Sequence, residues 1–423
     1  MSIIVFFTIL GILGLAQTYK VSFNIRVLGS LIVGIIFGLV LQQFNDSYSG
    51  DNLHSLLDLI SDTYISLLKM LIIPLVFTAI INAIVNLRHH QGSYLIKIVT
   101  KTVVVILLLT GISAVIGGFI GSLMHIGSGV AFLGVLETSE SHSIVSTITG
   151  MLPSNPVTAM ANNNVIAVVI FAALLGFATL KLHQQEKEIA LAFINFIHSA
   201  FFVAKKLASM IIALTPYGVF ALMSSMMLNY GLSTLLEMLN FITAMYIAMS
   251  IVMLLHTILI SLCGVNPIHY YKNVWRALLV AFTTRSSFGT LPVTMDALGN
   301  RLKLSESVSN FTPSIGATIG MNACAGIYPA MLVVMTLAIM GQPVTWQVIL
   351  LVGAINMIAS FGVSGIPGTA FIAAGVTFST LGLPFNIIAL VQGIDPIIDM
   401  GRTATNVNGV MTTAVITDKT TRS

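Results

Sequence analysis

Asp395, Asp399, Arg402 and Asn406 follow one another at intervals of four, three and four residues within IDPIIDMGRTATNVNGV (Ile394–Val410), near the end of an otherwise apolar chain. On a helix these spacings place the four side chains on one narrow stripe. Each ionised group costs several kcal/mol to bury unpaired in an apolar medium, so the stripe must face a partner or a cavity and not lipid. Two readings stay open. Asp399 and Arg402 can neutralise each other as a structural pair, or they can form part of a binding site. Arg285 lies in a second polar stretch, TTRSSFGTLPVTM (Thr283–Met295), so the region holds charges of both signs and suits a zwitterion. An ammonium matches Asp399, an α-carboxylate matches backbone amides and the hydroxyls of Ser286 and Ser287, and a second carboxylate matches the planar fork of Arg402. The expected ligand is an amino acid with a carboxylate-bearing arm.

The elements that must position these groups are written twice. From Trp275 a segment runs into the Thr283–Met295 stretch, a loop, and an apolar helix interrupted by GATIGMNACAG (Gly316–Gly326). From Leu350 another runs into ASFGVSGIPGTA (Ala359–Ala370), a loop, and a helix interrupted by the Ile394–Val410 stretch. Small residues and proline within an apolar run leave backbone groups unpaired, which hydrocarbon does not tolerate, so the two tips are expected as re-entrant hairpins buried in protein. Arg276 and Arg301 flank the first hairpin and place its entry inside; the second has no flanking charge and is expected to enter from outside. Glycines that merely let helices pack closely explain one such tip as well, but two matching tips point to a transporter binding site at mid-membrane.

The rest of the chain sets the solvent. Of 423 residues, 56% are apolar and 8% charged, which excludes a soluble domain and implies an all-α polytopic membrane protein. Apolar runs cover Val27–Leu41, Tyr64–Val85, Val99–Met124, Val165–Leu180, Ile189–Met227 and Phe241–Cys263. A further segment, Ile3–Ala16, lacks the basic start and small-residue exit of a signal peptide and reads as an uncleaved helix. With Lys20 and Arg26 on the cytoplasmic side, alternation also puts Arg88, Lys97, Lys101, Lys181, Lys187, Lys272, Arg276, Arg301, Lys303, Lys419 and Arg422 inside. The outer segments Gln42–Ser55 and Glu137–Pro156 then carry no Lys or Arg. The C-terminus is therefore expected in the cytoplasm, and no basic cluster remains for nucleic acid.

Cys263 and Cys324 lack metal-ligand spacing and imply no disulfide framework. His89 and His90 read as solvated in a basic loop, and His198 and His256 as packed within apolar spans. No nucleophile–base set, metal cluster or Walker lysine suggests an enzyme or a cofactor.

RSSFGTLPVTM, GATIGMN, SGIPG and DMGRTATNVNG, in that order, resemble the hairpin and helix motifs of the dicarboxylate/amino acid:cation symporter family, which includes glutamate transporters. The likeness runs from KMLIIPLVF (Lys69–Phe77) to the C-terminus. Within the family, LPSNPVTAMANNNVIAVVIFAALLG, GMNACAGIYPAM and DMGRTATNVNG are most similar to bacterial L-cystine uptake symporters. The resemblance implies a homotrimer in the bacterial cytoplasmic membrane, with elevator-type subunits that import L-cystine; glutamate, aspartate or other dicarboxylates are the alternative substrates. A channel or sensor on the same fold is a different class, distinguished by uptake that neither saturates nor accumulates.

It also implies a division of the chain. Residues 1–20 would be an extra N-terminal helix, 21–96 scaffold helices, 97–125 a transport-domain helix and 126–230 an outer loop with further scaffold helices. Residues 231–418 would form the transport domain, with hairpins at about 275–298 and 347–381 and broken helices at about 308–340 and 385–416. Carried over by position, Asp399 takes the substrate amino group, Arg402 the distal carboxylate, and Thr403 and Asn406 the α-amino and α-carboxylate groups. Ser286 and Ser287 line the inner hairpin, and Gly365, Ile366, Pro367 and Gly368 form the outer hairpin tip that closes as a gate.

The chain departs from the sodium-coupled glutamate members at several positions. Where they have aspartates it has Asn322 and Val410, and Gly320 and Gly111 replace an asparagine and a serine. These changes remove charge and oxygen ligands that sodium favours. One sodium site would remain, built mainly from backbone carbonyls near Thr318. Sodium and proton therefore stand as competing coupling ions, with Thr318, Asn322, Asp395 and Asp399 as the candidate residues.

Overall fold

Long apolar segments satisfy their backbone groups internally as helices, and every element among the described residues is helical. The computed structural model describes residues 2–43, 51–86, 93–128, 154–162, 164–363, 365 and 368–422. Most of the Glu137–Pro156 segment, His89, His90, Ile366 and Pro367 lie outside the described residues.

The first group of helices comprises α1 (Ser2–Thr18), α2 (Phe23–Gln43), α3 (Asp51–Met70), α4 (Ile72–Asn86) and α5 (Ser93–Leu123). A short α6 (Pro156–Ala161) precedes α7 (Val165–Gln185), α8 (Lys187–Ile212) and the long α9 (Thr215–Leu262). Seven described helical spans are long and apolar enough to cross a membrane, one of them running through α3 and α4 together. Helix α1 is packed: Phe6 and Leu13 join Phe37, Leu41, Leu53, Leu57 and Phe220 in one cluster.

Three expected boundaries are corrected. The Gln42–Ser55 stretch is not all loop, because α3 begins at Asp51. The apolar run Ile189–Met227 is two helices: α8 ends at Ile212 and α9 begins at Thr215, with Pro216 in its first turn, where a missing N–H costs nothing. The run Tyr64–Val85 likewise divides at Leu71, between α3 and α4. Apolar periodicity carries no mark of such breaks when both sides face lipid or core. Within α9 itself, Gly231 has φ 69° and ψ −160°, a left-handed-side conformation that suits glycine and interrupts the helix.

The second group builds the repeat. Helices α10 (Pro267–Thr284) and α11 (Ser287–Asp296) form the arms of the first hairpin. Helix α12 (Glu306–Gly316) is followed by a π-helical stretch (Asn322–Ile327) that runs into α13 (Tyr328–Ile339). Helices α14 (Trp346–Ala359) and α15 (Ala370–Leu381) are the arms of the second hairpin, and α16 (Asn386–Gln392) precedes α17 (Asp395–Arg422). The last break falls at Gly393–Ile394, at the head of the polar stretch and not within it. Pro396 opens α17, which then runs unbroken through Asp399, Arg402 and Asn406. Their shared stripe is therefore real helix.

Helix α5 is the spine of this group, packing against α13, α14, α17 and the π-helical stretch. A Cβ at Gly326 would sit 2.7 Å from the Thr110 carbonyl oxygen, so only glycine permits the close crossing of α5 and that stretch. Helices α2 and α3 pack on α9, and α4 on α7 and α8.

Candidate functional site

The two hairpin tips meet. Thr284 ends α10 and Arg285 follows in the left-handed region (φ 55°), which turns the chain sharply into Ser286. Ser286 caps α11 by accepting from the Gly289 amide at 3.0 Å, and its hydroxyl donates to the Gly365 carbonyl at 3.1 Å. The Phe288 amide donates to the same carbonyl at 3.1 Å, and the Gly365 amide donates to the Ala317 carbonyl at 3.0 Å. Gly365 thus ties the second tip both to the first and to the end of α12. A Cβ there would lie 2.8 Å from the Ala317 oxygen and 2.9 Å from the Ser287 Cβ. Ser287 is buried against this contact. Gly368, at φ 78°, directs its amide to Asp399 Oδ2 at 3.4 Å.

Behind the tips lies the charged stripe. The Arg402 Nη2 donates to Asp395 Oδ1 at 2.5 Å and to Asp399 Oδ1 at 3.1 Å, and the guanidinium is wholly buried. Its Cζ lies 4.3 Å from the centre of the Tyr328 ring. The Nε and Nη1 of Arg402 have no hydrogen-bond partner. Two carboxylates on one guanidinium leave one negative charge over when both are ionised, so the cluster is ready to accept an ammonium. Thr403 is buried on the same helix. Arg285 is not in this cluster. Its Nη2 donates to Asn24 Oδ1 at 2.6 Å and its Cζ lies 5.4 Å from the Phe23 ring centre, which ties the first tip to the start of α2.

A second polar centre lies further along α17. Asn406 Oδ1 accepts from the Ala323 amide at 2.8 Å and the Cys324 amide at 3.3 Å, and its Nδ2 lies 3.0 Å from the Cys324 Sγ. In this structure Asn406 therefore caps the π-helical stretch, whose first amides would otherwise be unpaired. Next to it, His256 is fully buried, with Nε2 3.3 Å from Asn322 Nδ2 and Nδ1 3.1 Å from Asn408 Nδ2. Two amide donors cannot both face a neutral imidazole, which carries one N–H of its own. Asn408 Oδ1 already accepts from Tyr270 at 3.0 Å, whereas Asn322 Oδ1 has no partner, so Asn322 is the amide to turn over. The ring then donates to Asn322 and accepts from Asn408. Both ring nitrogens are then paired without a charge, and the unpartnered position on Asn322 passes from its oxygen to its nitrogen. His256 is packed, as its apolar surroundings suggest, but as a bridge between two broken-helix asparagines.

The remaining candidates sit apart from one another. Thr318 donates to Ile315 at 2.8 Å, just before Gly320 in its left-handed turn (φ 71°). Val410 packs on Gly316, with no charge where the resemblance implied a carboxylate. Sequence reasoning missed Asn24, Tyr328 and Asn408. For Asn408 the signal was present, two residues after Asn406 in a buried polar helix; for Asn24, at the head of an apolar helix, there was none.

Residues 23–420 match the sodium:dicarboxylate symporter family. The chain is 38% identical to the L-cystine uptake protein TcyP of Bacillus cereus, an alignment that covers 99% of this chain and 94% of that protein. It is 34% identical to the L-cystine uptake protein TcyP of Bacillus licheniformis over 99% and 94% of the two chains. An uncharacterized symporter of Haemophilus influenzae is 37% identical over 96% of each. A transporter and not an enzyme, with several membrane spans and its polar residues gathered at paired hairpins and broken helices, this chain belongs to the sodium:dicarboxylate symporter family.

Proposed function

We propose that the protein imports L-cystine across the bacterial cytoplasmic membrane by ion-coupled symport. The observation that carries this reading is the buried Asp395–Arg402–Asp399 cluster beneath the two joined hairpin tips. Its excess negative charge suits a substrate ammonium, and a guanidinium with two unpartnered nitrogens suits a carboxylate. The names of the TcyP relatives support cystine in particular.

In this mechanism the substrate amino group binds Asp399, weakening its hold on Arg402, and the distal carboxylate takes the freed face of the guanidinium. Thr403 and Asn406 complete the amino and carboxylate contacts, Ser286 and Ser287 line the inner hairpin, and Gly365, Ile366, Pro367 and Gly368 close over the substrate. The group packed around α5 and α17 moves as an elevator against α2, α3, α4, α7 and α8, which hold a homotrimer. The C-terminus is cytoplasmic. Either sodium near Thr318 or a proton on Asp395 or Asp399 supplies the coupling. The neutral bridge at His256 favours the proton, because it occupies Asn322 without a cation.

The test is initial-rate uptake of labelled L-cystine into proteoliposomes, under an inward sodium gradient and separately under an inward proton gradient, with aspartate as competitor. Saturable accumulation of cystine is expected. Absence of cystine uptake together with strong aspartate competition in binding would transfer the assignment to acidic amino acids.

A further inference from the structure

We infer that the groove between the arms of the first hairpin is a binding site for an anionic phospholipid, with Arg276 taking its phosphate. The inference does not depend on the cystine reading; on the orientation proposed above, the lipid belongs to the cytoplasmic leaflet.

The groove has a volume of about 560 Å³, and all eight residues that line it come from α10, α11 and the π-helical turn Ala297–Arg301 that follows them. No residue of another helix lines it, so it opens to whatever surrounds the protein. Along α10, Ile268, Trp275 and Leu279 fall on one face at intervals of seven and four residues, and each is at least half exposed. An open row of large apolar side chains on a membrane protein is a surface for lipid.

The chemistry changes along the groove. At its base stand Arg276 on one side and Asp296 and Arg301 on the other. One turn nearer the tip, about 6 Å by helical rise, the lining is Leu279 and Val280 on α10 and Pro292 and Val293 on α11. A charged end that gives way to an apolar end within one turn on both arms suits an amphiphile, with its headgroup at the base and an acyl chain toward the tip. Trp275, beside Arg276, is of the residue type that gathers at membrane interfaces, where an apolar ring carries one polar N–H.

The base also selects a sign of charge. Asp296 is used within its own turn: Oδ1 accepts from Asn300 Nδ2 at 2.8 Å and Oδ2 from Arg301 Nε at 3.1 Å. That contact offsets the charge of Arg301. Arg276 makes no ion pair among the described residues, and its Cζ lies 5.6 Å from the Trp275 ring centre. Lys272, one turn away on α10, is exposed as well. The base therefore carries net positive charge, and a phosphodiester matches the planar fork of Arg276.

The chain has two tryptophans, so Trp346→Phe leaves Trp275 as the only indole. This protein is reconstituted into vesicles of phosphatidylcholine and phosphatidylglycerol in which one lipid or the other carries brominated chains. Bromine quenches an indole that it touches, and the ratio of quenching by the two lipids measures the preference of the site. Phosphatidylglycerol should be preferred by about fivefold or more, the worth of one basic residue at an anionic lipid surface. Arg276→Gln should bring the ratio to about one. Asp296→Asn, which frees Arg301, should raise it by a further few fold. In the Trp275→Phe protein the remaining indole, Trp346, has no Lys or Arg nearby in sequence and should report a ratio of about one.

A ratio near one at Trp275, an equal preference at Trp346, or a preference that survives Arg276→Gln overturns the site. If Arg276→Gln does not fold, Asp296→Asn decides: a raised preference supports the site, and an unchanged or lowered one overturns it. Quenching needs no transport, so a protein that fails to take up cystine overturns the cystine reading and leaves this result standing.

Discussion

Two polar centres lie on one helix, two turns apart, and they are built on opposite principles. The centre at Asp395, Asp399 and Arg402 is charged, unbalanced by one unit when both acids are ionised, and holds hydrogen-bond donors without partners. The centre at Asn408, Asn322 and His256 is neutral, and both ring nitrogens are paired once the Asn322 amide is turned over. Burial penalises unsatisfied groups in both, so on the function proposed above the first is suited to a ligand, while the second links the π-helical stretch, α9 and α17. Polarity in a membrane helix does not by itself mark a site. Unbalanced polarity is the feature on which the proposed site rests.

Substitutions should separate the two centres. Arg402→Ala should abolish cystine uptake, reducing the initial rate by at least about a hundredfold, because it removes the only cation shared by two buried carboxylates. Size-exclusion chromatography should still show a folded protein of the wild-type size; unchanged uptake would remove that arginine from the site.

Next in size is Gly365→Ala. The added methyl group meets the Ala317 oxygen and the Ser287 Cβ at under 3 Å, so the second tip must move off the first. Uptake should fall roughly tenfold or more, since overpacking at such a contact costs about 1–3 kcal/mol. Uptake at the wild-type rate would mean that the meeting of the tips is not needed for turnover.

His256→Leu addresses the neutral centre. It strands two buried asparagine amides, each worth about 1–3 kcal/mol when left unpaired, so the melting temperature should drop by several degrees. Affinity for cystine in the protein that remains folded should change much less than in Arg402→Ala. The reverse pattern, lost affinity at full stability, would make His256 part of the binding site and dissolve the contrast.

The smallest effect is expected at Asn24→Ala, which removes the amide holding Arg285 to the start of α2. One hydrogen bond to a charged group is worth about 1.5–3 kcal/mol when buried, and less here because Asn24 is partly exposed. A change of a few fold in uptake rate, with cystine affinity unaltered, is the expected outcome.

Much of this was legible before any coordinates. The four-three-four spacing from Asp395 to Asn406 predicts one stripe, and α17 carries it as continuous helix. The Ser/Gly/Pro stretches predict interrupted segments, and Arg285–Ser286 and Gly365 are where the chain turns and the segments meet. Other features were hidden because they depend on distant partners. Nothing near Arg402 says that it binds both acids at once, because that follows from rotamers on one helix face. The break before Pro216 was masked by apolar residues on either side.

The three backbone and side-chain bonds made by Gly365 carry one more consequence. If the second tip withdraws in the proposed gating role, the Gly365 carbonyl loses two donors and its amide loses one acceptor, and lipid can replace none of them. Water can. Such an opening would be a reaction in which water is a reactant, and the tips would part only on the side of the membrane from which the aqueous phase already reaches them.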